Sequence, residues 1–257
     1  MATATITITT ITIMVPRMAI KPTIMTTDMN ETQFGGSPLL LLQVWLSPTF
    51  PIGTFAYSHG LEAAVDFGDL RDGAALREWI ADLLGYGSAR SDAILLAGAY
   101  HAARAGDART LADVNDVALA LCASRERRLE TVQLGAAFVT ILRAAWPCAS
   151  LDLLPPQEEI AYPVAFGVAA AGRELPLEAT LGAFLLAFAS SLVSAALRCA
   201  SIGQTDGQRA LADLGAEICA CAHFAAGSSI DDLGGVALRS DIASMRHETQ
   251  YSRMFRS

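Results

Sequence analysis

Residues 179–197, ATLGAFLLAFASSLVSAAL, run without a single charge. A stretch of that length is long enough to cross a bilayer. Its composition argues for another place. Gly182, Ala183, Ala187, Ser190, Ser191 and Ser194 are small, and single charges, Glu178 and Arg198, bound the run. Small side chains let helices approach one another closely. Arginine-only flanks with acidic neighbours lack the charge bias that orients a membrane span. The segment therefore reads as the central helix of a bundle, covered all round by other helices or by a second copy of the chain. No membrane is expected as a partner.

The sequence on either side has helical periodicity. Leu76, Trp79, Ile80, Leu83 and Leu84 form one apolar stripe. Leu111, Val114, Ala118 and Leu121 form a second, and Leu129, Val132, Ala136 and Val139 a third. Apolar residues three and four apart share one helix face. Gly106, Pro147, Pro155, Pro156, Gly172, Pro176, Gly203, Gly227, Gly234 and Gly235 punctuate the pattern. The reading is an all-α, single-domain bundle of about eight to ten helices over residues 38–257. Residues 1–37 differ: they are rich in Thr, Ile and Met, with a Thr/Ile alternation that has no partner strand nearby. They read as a disordered low-complexity extension, with Met18, Met25 and Met29 as alternative starts. They lack the basic start and continuous apolar core of a secretory signal.

Composition narrows the function. The chain of 257 residues is 53% hydrophobic, which suffices for one sizeable core. Its 18 basic and 26 acidic residues give a net charge of −8, so nucleic acid is a poor partner. The only lysine is Lys21, in the extension. The folded part thus has no lysine for a phosphate loop or a Schiff base, and no nucleotide cofactor is expected. The five cysteines, Cys122, Cys148, Cys199, Cys219 and Cys221, are odd in number and scattered, which fits a reduced cytoplasmic compartment. Cys219 and Cys221 point to nearly opposite sides of a helix and read as buried small hydrophobes rather than metal ligands.

Two segments stand out. SPTFPIGTFAYSHGLE, residues 47–62, holds two prolines and a glycine within six positions, then Phe55, Tyr57, Ser58, His59 and Glu62. Proline fixes its own φ and biases the residue before it, so a rigid turn into a helix is expected. Aromatics beside polar groups on such a loop suit contacts beyond the fold. Adjacent Ser58 and His59 lack the glycine elbow of a serine hydrolase, and His247-Glu248 lacks the second histidine of a zinc helix. His59, His101, His223 and His247 have no ligand-type spacing, and the many carboxylates read as solvated helix faces. No catalytic, metal or cofactor residue is assigned. The second segment, DIASMRHETQYSRMFRS at 241–257, has Asp241 as a helix N-cap and ends rich in Arg, Tyr and Phe. Those residue types dominate binding hot spots.

The chain resembles the urease accessory protein UreF family over roughly residues 38–257. Four segments carry the resemblance in order: Leu46-Ser47-Pro48 through Pro51-Ile52-Gly53 and Tyr57-Ser58-His59-Gly60-Leu61-Glu62; Tyr162-Pro163-Val164-Ala165-Phe166-Gly167; Arg198 with Ile202-Gly203-Gln204; and residues 246–257. Ser201 stands where the family commonly has proline. The resemblance implies an all-helical, homodimeric, non-catalytic protein of nickel urease maturation. It implies a scaffold that bridges the nickel-carrying GTPase UreG and UreD (also called UreH) for delivery to apo-urease. Carried over by position, the tail with Tyr251, Arg253, Phe255 and Arg256 should order against the UreD-type partner. Tyr57, Ser58, Glu62, Arg198 and Gln204 should face the GTPase, and residues 179–197 should serve self-association. Two alternatives stay open: a direct nickel carrier using Cys219, Cys221 and His223, or a hydrolase using Ser58 and His59.

Overall fold

The computed structural model describes residues 37–155 and 159–257. The expected extension at 1–37 lies outside the described residues but for Ser37. Among the described residues there are eleven α-helices, three 3-10 turns and no strand. The one helix beyond the expected range is accounted for by α2 (Leu61–Asp66), which is too short to show periodicity.

Local sequence explains five of the eleven helix starts. Asp72 accepts the Ala75 N–H ahead of α3 (Gly73–Gly85), and Asp107 accepts the Arg109 and Thr110 N–H groups ahead of α5 (Ala108–Ala120). Ser124 does the same for Arg127 at the start of α6 (Arg125–Ala145). Each cap satisfies a donor that the first turn leaves orphaned. Proline opens both α1 (Pro38–Trp45) and α7 (Tyr162–Gly172), where its missing N–H is not needed. Asp241 is not a cap: α11 (Leu238–His247) starts at Leu238, placing Asp241 inside its first turn.

At the centre stands α7. Pro163 through Ala171 is buried without interruption, so this helix is apolar all round and wrapped by others. Its main neighbour is α4 (Ser88–Ala105), with α6 on another side. Gly167 makes the α4 approach possible, since a Cβ there would sit 2.4 Å from the Leu96 carbonyl oxygen. Gly135 of α6 plays the same part against the Ile160 carbonyl, where a Cβ would come within 2.1 Å. An aromatic cluster ties α1, α6, α7 and α8 (Leu177–Cys199) together. Trp45 stands edge-on to Phe138 and Phe166 at 5.7 and 5.8 Å, and Phe138 stacks on Phe166 at 5.2 Å. Such geometries add to the burial of the rings.

The charge-free run forms α8, which packs on α10 (Gly215–Ala226), α9 (Gln204–Asp213) and α4. It is long and apolar enough to cross a membrane, and half of its most apolar window is buried inside the protein. The expected all-round cover is thus half supplied by this chain.

The three stripes fare differently. Leu76, Trp79, Ile80, Leu83 and Leu84 are all buried in α3. Leu111, Val114 and Ala118 are buried, but Leu121 is exposed at the end of α5. In α6 the expected stripe is displaced. Leu129 and Ala136 face solvent, and the inner face carries Glu130, Thr131, Leu134, Gly135, Phe138, Val139 and Leu142. A buried glutamate turns that helix.

Candidate functional site

The two segments singled out by sequence meet in space. Gly53 takes φ +85° and opens the 3-10 turn Thr54–Ala56, after which Tyr57 and Ser58 run inward. His59 then adopts φ +56° and Gly60 φ +75°. A left-handed histidine is uncommon and persists only where its surroundings hold it. Gly60 has a further reason: a Cβ there would fall 2.5 Å from the Ser244 amide nitrogen of α11. Helix α11 lies against α2, and it delivers the chain end back to residues 56–62.

The tail is held mainly through its backbone. Arg256 N–H donates to the Ala56 carbonyl at 2.8 Å, and Ser58 N–H donates to the Ser257 carbonyl at 2.7 Å. The Ser58 hydroxyl donates to the same carbonyl. Glu62 accepts the Met254 N–H at 2.7 Å and the Phe255 N–H at 2.9 Å. Phe255 is buried beneath the Arg198 guanidinium, which lies 4.4 Å from its ring centroid. Arg198 also donates to the Phe55 carbonyl at 2.8 Å, so one side chain pins both segments. A cation over an aromatic face adds to the apolar burial beneath it.

Behind these contacts stand two buried acid clusters. In the first, His247 is fully enclosed between Glu62 at 3.2 Å and Glu126 at 2.6 Å, and Glu126 also pairs with Arg253. In the second, Glu130 meets Arg127, the His59 Nε2 at 2.9 Å and the Ser257 hydroxyl at 2.6 Å. Burial alone would raise the Glu130 carboxyl; the Arg127 charge, His59 and the Ser257 hydroxyl outweigh it and hold the group down at about 2. His59 is pushed below the ordinary imidazole value by burial and by Arg127. Asp92 of α4 is pushed up to about 6 by burial, which Arg127 only partly offsets. His59, Asp92, Arg127, Thr131 and Pro163 form a common wall between two cavities of about 70 and 100 Å³.

The site residues named from sequence therefore divide. Tyr57, Ser58 and Glu62 are buried, with Glu62 only 7% exposed, and cannot offer a face in this conformation. The sequence reading placed them toward a partner; the structure uses them to seat the tail. The Tyr57 hydroxyl donates to Gln133 at 2.6 Å. Burial raises that phenol's pKa, with Arg256 pulling the other way. Arg198, Gln204, Tyr251, Arg253 and Arg256 are exposed, and Phe255 is buried. Sequence spacing gives no sign of Glu126, Arg127, Glu130 or Asp92, since charged residues on helices are usually solvated, and it names His247 only as lacking a ligand partner. Glu130 stands four, eight and twelve positions before Leu134, Phe138 and Leu142, all buried in α6, and that shared helix face is the signal that could have found it. The Cys219 thiol side is exposed, Cys221 is buried, and His223 is exposed beside Glu178 at 3.2 Å. Among the described residues no group of three His, Cys, Asp or Glu side chains is placed to hold a metal ion.

The UreF family model matches residues 70–215. The urease accessory protein UreF of Xanthobacter autotrophicus is 52% identical over 221 residues, covering 85% of this chain and 91% of that protein. That of Methylobacterium radiotolerans is 50% identical, covering 85% of this chain and 96% of its own length. That of Azorhizobium caulinodans is 49% identical over 234 residues, covering 89% of this chain and all of its own length. With the matched model spanning more than half of its residues and relatives aligned over most of both chains, this protein belongs to the UreF family of urease accessory proteins.

Proposed function

We propose that the protein acts as a non-catalytic scaffold in urease maturation, joining a UreD-type (UreH-type) accessory protein to a UreG-type GTPase so that nickel reaches apo-urease. The observation that carries this reading is the surface built where the tail meets residues 54–62. Phe55, Tyr251 and Met254 are large and exposed on these two segments, and the buried Glu62 holds the Met254 and Phe255 amides. Exposed aromatics on a fixed backbone suit protein docking. Tyr251, Arg253, Met254 and Arg256 face the UreD-type partner, and Arg198 and Gln204 face the GTPase. The half of α8 left uncovered, around Leu186, pairs with a second copy, which makes the working unit a homodimer. The compartment is the cytoplasm, and residues 38–257 form the functional domain.

Co-expression with the UreD-type and UreG-type partners, followed by size-exclusion chromatography with mass determination, tests the scaffold. One species containing all three chains is expected. Tyr251→Ala should remove the UreD-type chain from it, and Arg198→Ala the GTPase. Separate elution of the unaltered chains would overturn the reading.

A further inference from the structure

Glu62 is a carboxylate only 7% exposed, and among the described residues no arginine or lysine pairs with it. Its ligands are two backbone N–H groups of the tail, from Met254 and Phe255, and the ring of His247. Consecutive N–H groups converging on one carboxylate form a charge-assisted clasp, stronger than neutral backbone pairing. The carboxylate is itself braced: His247 is enclosed, and its other ring nitrogen lies 2.6 Å from Glu126. Glu126 in turn reaches Arg253, the residue just before the clasped pair. The chain from Glu62 through His247 and Glu126 thus returns to the tail and fixes three successive residues from both sides. Because the clasp takes Met254 by its backbone, the Met254 side chain is left outside, 61% exposed, while Phe255 turns inward and is 4% exposed.

We infer that Glu62 is the positioning residue of the partner-docking surface: its buried carboxylate, braced by His247 and Glu126, sets the tail in the register that turns Phe255 inward and leaves Tyr251 and Met254 facing out. This rests on the reading that this surface docks a protein partner. Glu62 touches no partner itself and acts entirely through the tail.

Hydrogen exchange on the full chain, read beside co-purification with the UreD-type protein, tests the inference. In the unaltered chain the Met254 and Phe255 amides should be protected. In Glu62→Gln, which places an NH₂ where one acceptor oxygen stood, those two amides should exchange roughly tenfold faster or more, while amides of α4 and α7 stay unchanged. Co-purification should fall in parallel. In Tyr251→Ala, co-purification should fall with tail protection retained, which separates a contact from a positioning role. Should Glu62→Gln fail to fold, Met254→Pro removes one clasped donor from the tail itself, and Phe255 should then exchange faster. Retained protection in Glu62→Gln or Met254→Pro overturns the inference, as does undiminished co-purification of a Glu62→Gln chain whose tail has loosened. Failure of the unaltered chain to bind the partner would instead sink the docking reading, with the exchange data still deciding the clasp.

Discussion

Asp92 and Glu130 face one another's surroundings across the same wall, yet their carboxyls move in opposite directions. Glu130 has Arg127 in direct contact and titrates at about 2 against 4.5 for the free side chain. It contributes stability above that ordinary value, and the contribution fades as pH falls toward 2. Asp92 has burial without a comparable partner and titrates at about 6 against 3.8. Between those two pH values the unfolded chain has released its proton while the folded chain keeps it. Stability therefore falls as pH rises from about 4 to 6 and stays reduced above. Asp92→Asn removes this burden. It should raise the unfolding free energy by about 1–2 kcal/mol near neutral pH and leave it almost unchanged near pH 3.5, measured by denaturant titration at both. The gain is below the full linkage value because the carboxyl borders cavity space and keeps part of its solvation. These residues were poorly legible in the sequence. A glutamate or aspartate on a helix is usually solvated, and the partners that bury Glu62 and Glu130 come from positions 185 and 127 residues away.

Elements were read better than residues, and α3 and α6 show why. In α3 every Leu, Ile and Trp points inward, so periodicity alone finds the face. In α6 the inner face includes Glu130 and Thr131, and a count of apolar residues settles on a stripe that in fact faces partly outward. Glu130 accepts the Ser257 hydroxyl of the tail, and Thr131 accepts the Tyr162 N–H at 3.0 Å at the start of α7. Close approach was also hidden, since a glycine inside a helix looks like weak propensity. Gly167 is instead the point at which α7 touches the α4 backbone. Gly167→Ala should destabilise the chain by about 1–3 kcal/mol despite its better helix propensity, because α4 and α7 must move apart. Thermal unfolding with helicity retained at low temperature would show it; equal or higher stability would mean the helices can shift without loss.

For the whole molecule, the charge-free run decided the fold class correctly but left its cover open. Helix α8 buries one side in this chain and shows Leu186, 46% exposed, on the other. If that side meets a second copy, Leu186→Glu should halve the mass seen by light scattering while far-UV circular dichroism stays the same. An unchanged mass would place the contact between copies elsewhere. The four segments that signalled the family are scattered along the sequence, and folding brings the first and last into contact.

That contact has a consequence in time. Ser58 and Ser257 lie 199 positions apart, and synthesis delivers them in that order. A polypeptide still threaded through the ribosomal exit, or one released early, can build its helices but cannot close the clasp. If the docking surface proposed above recruits a partner, a chain lacking its last residues should fold its helices yet fail to co-purify with it.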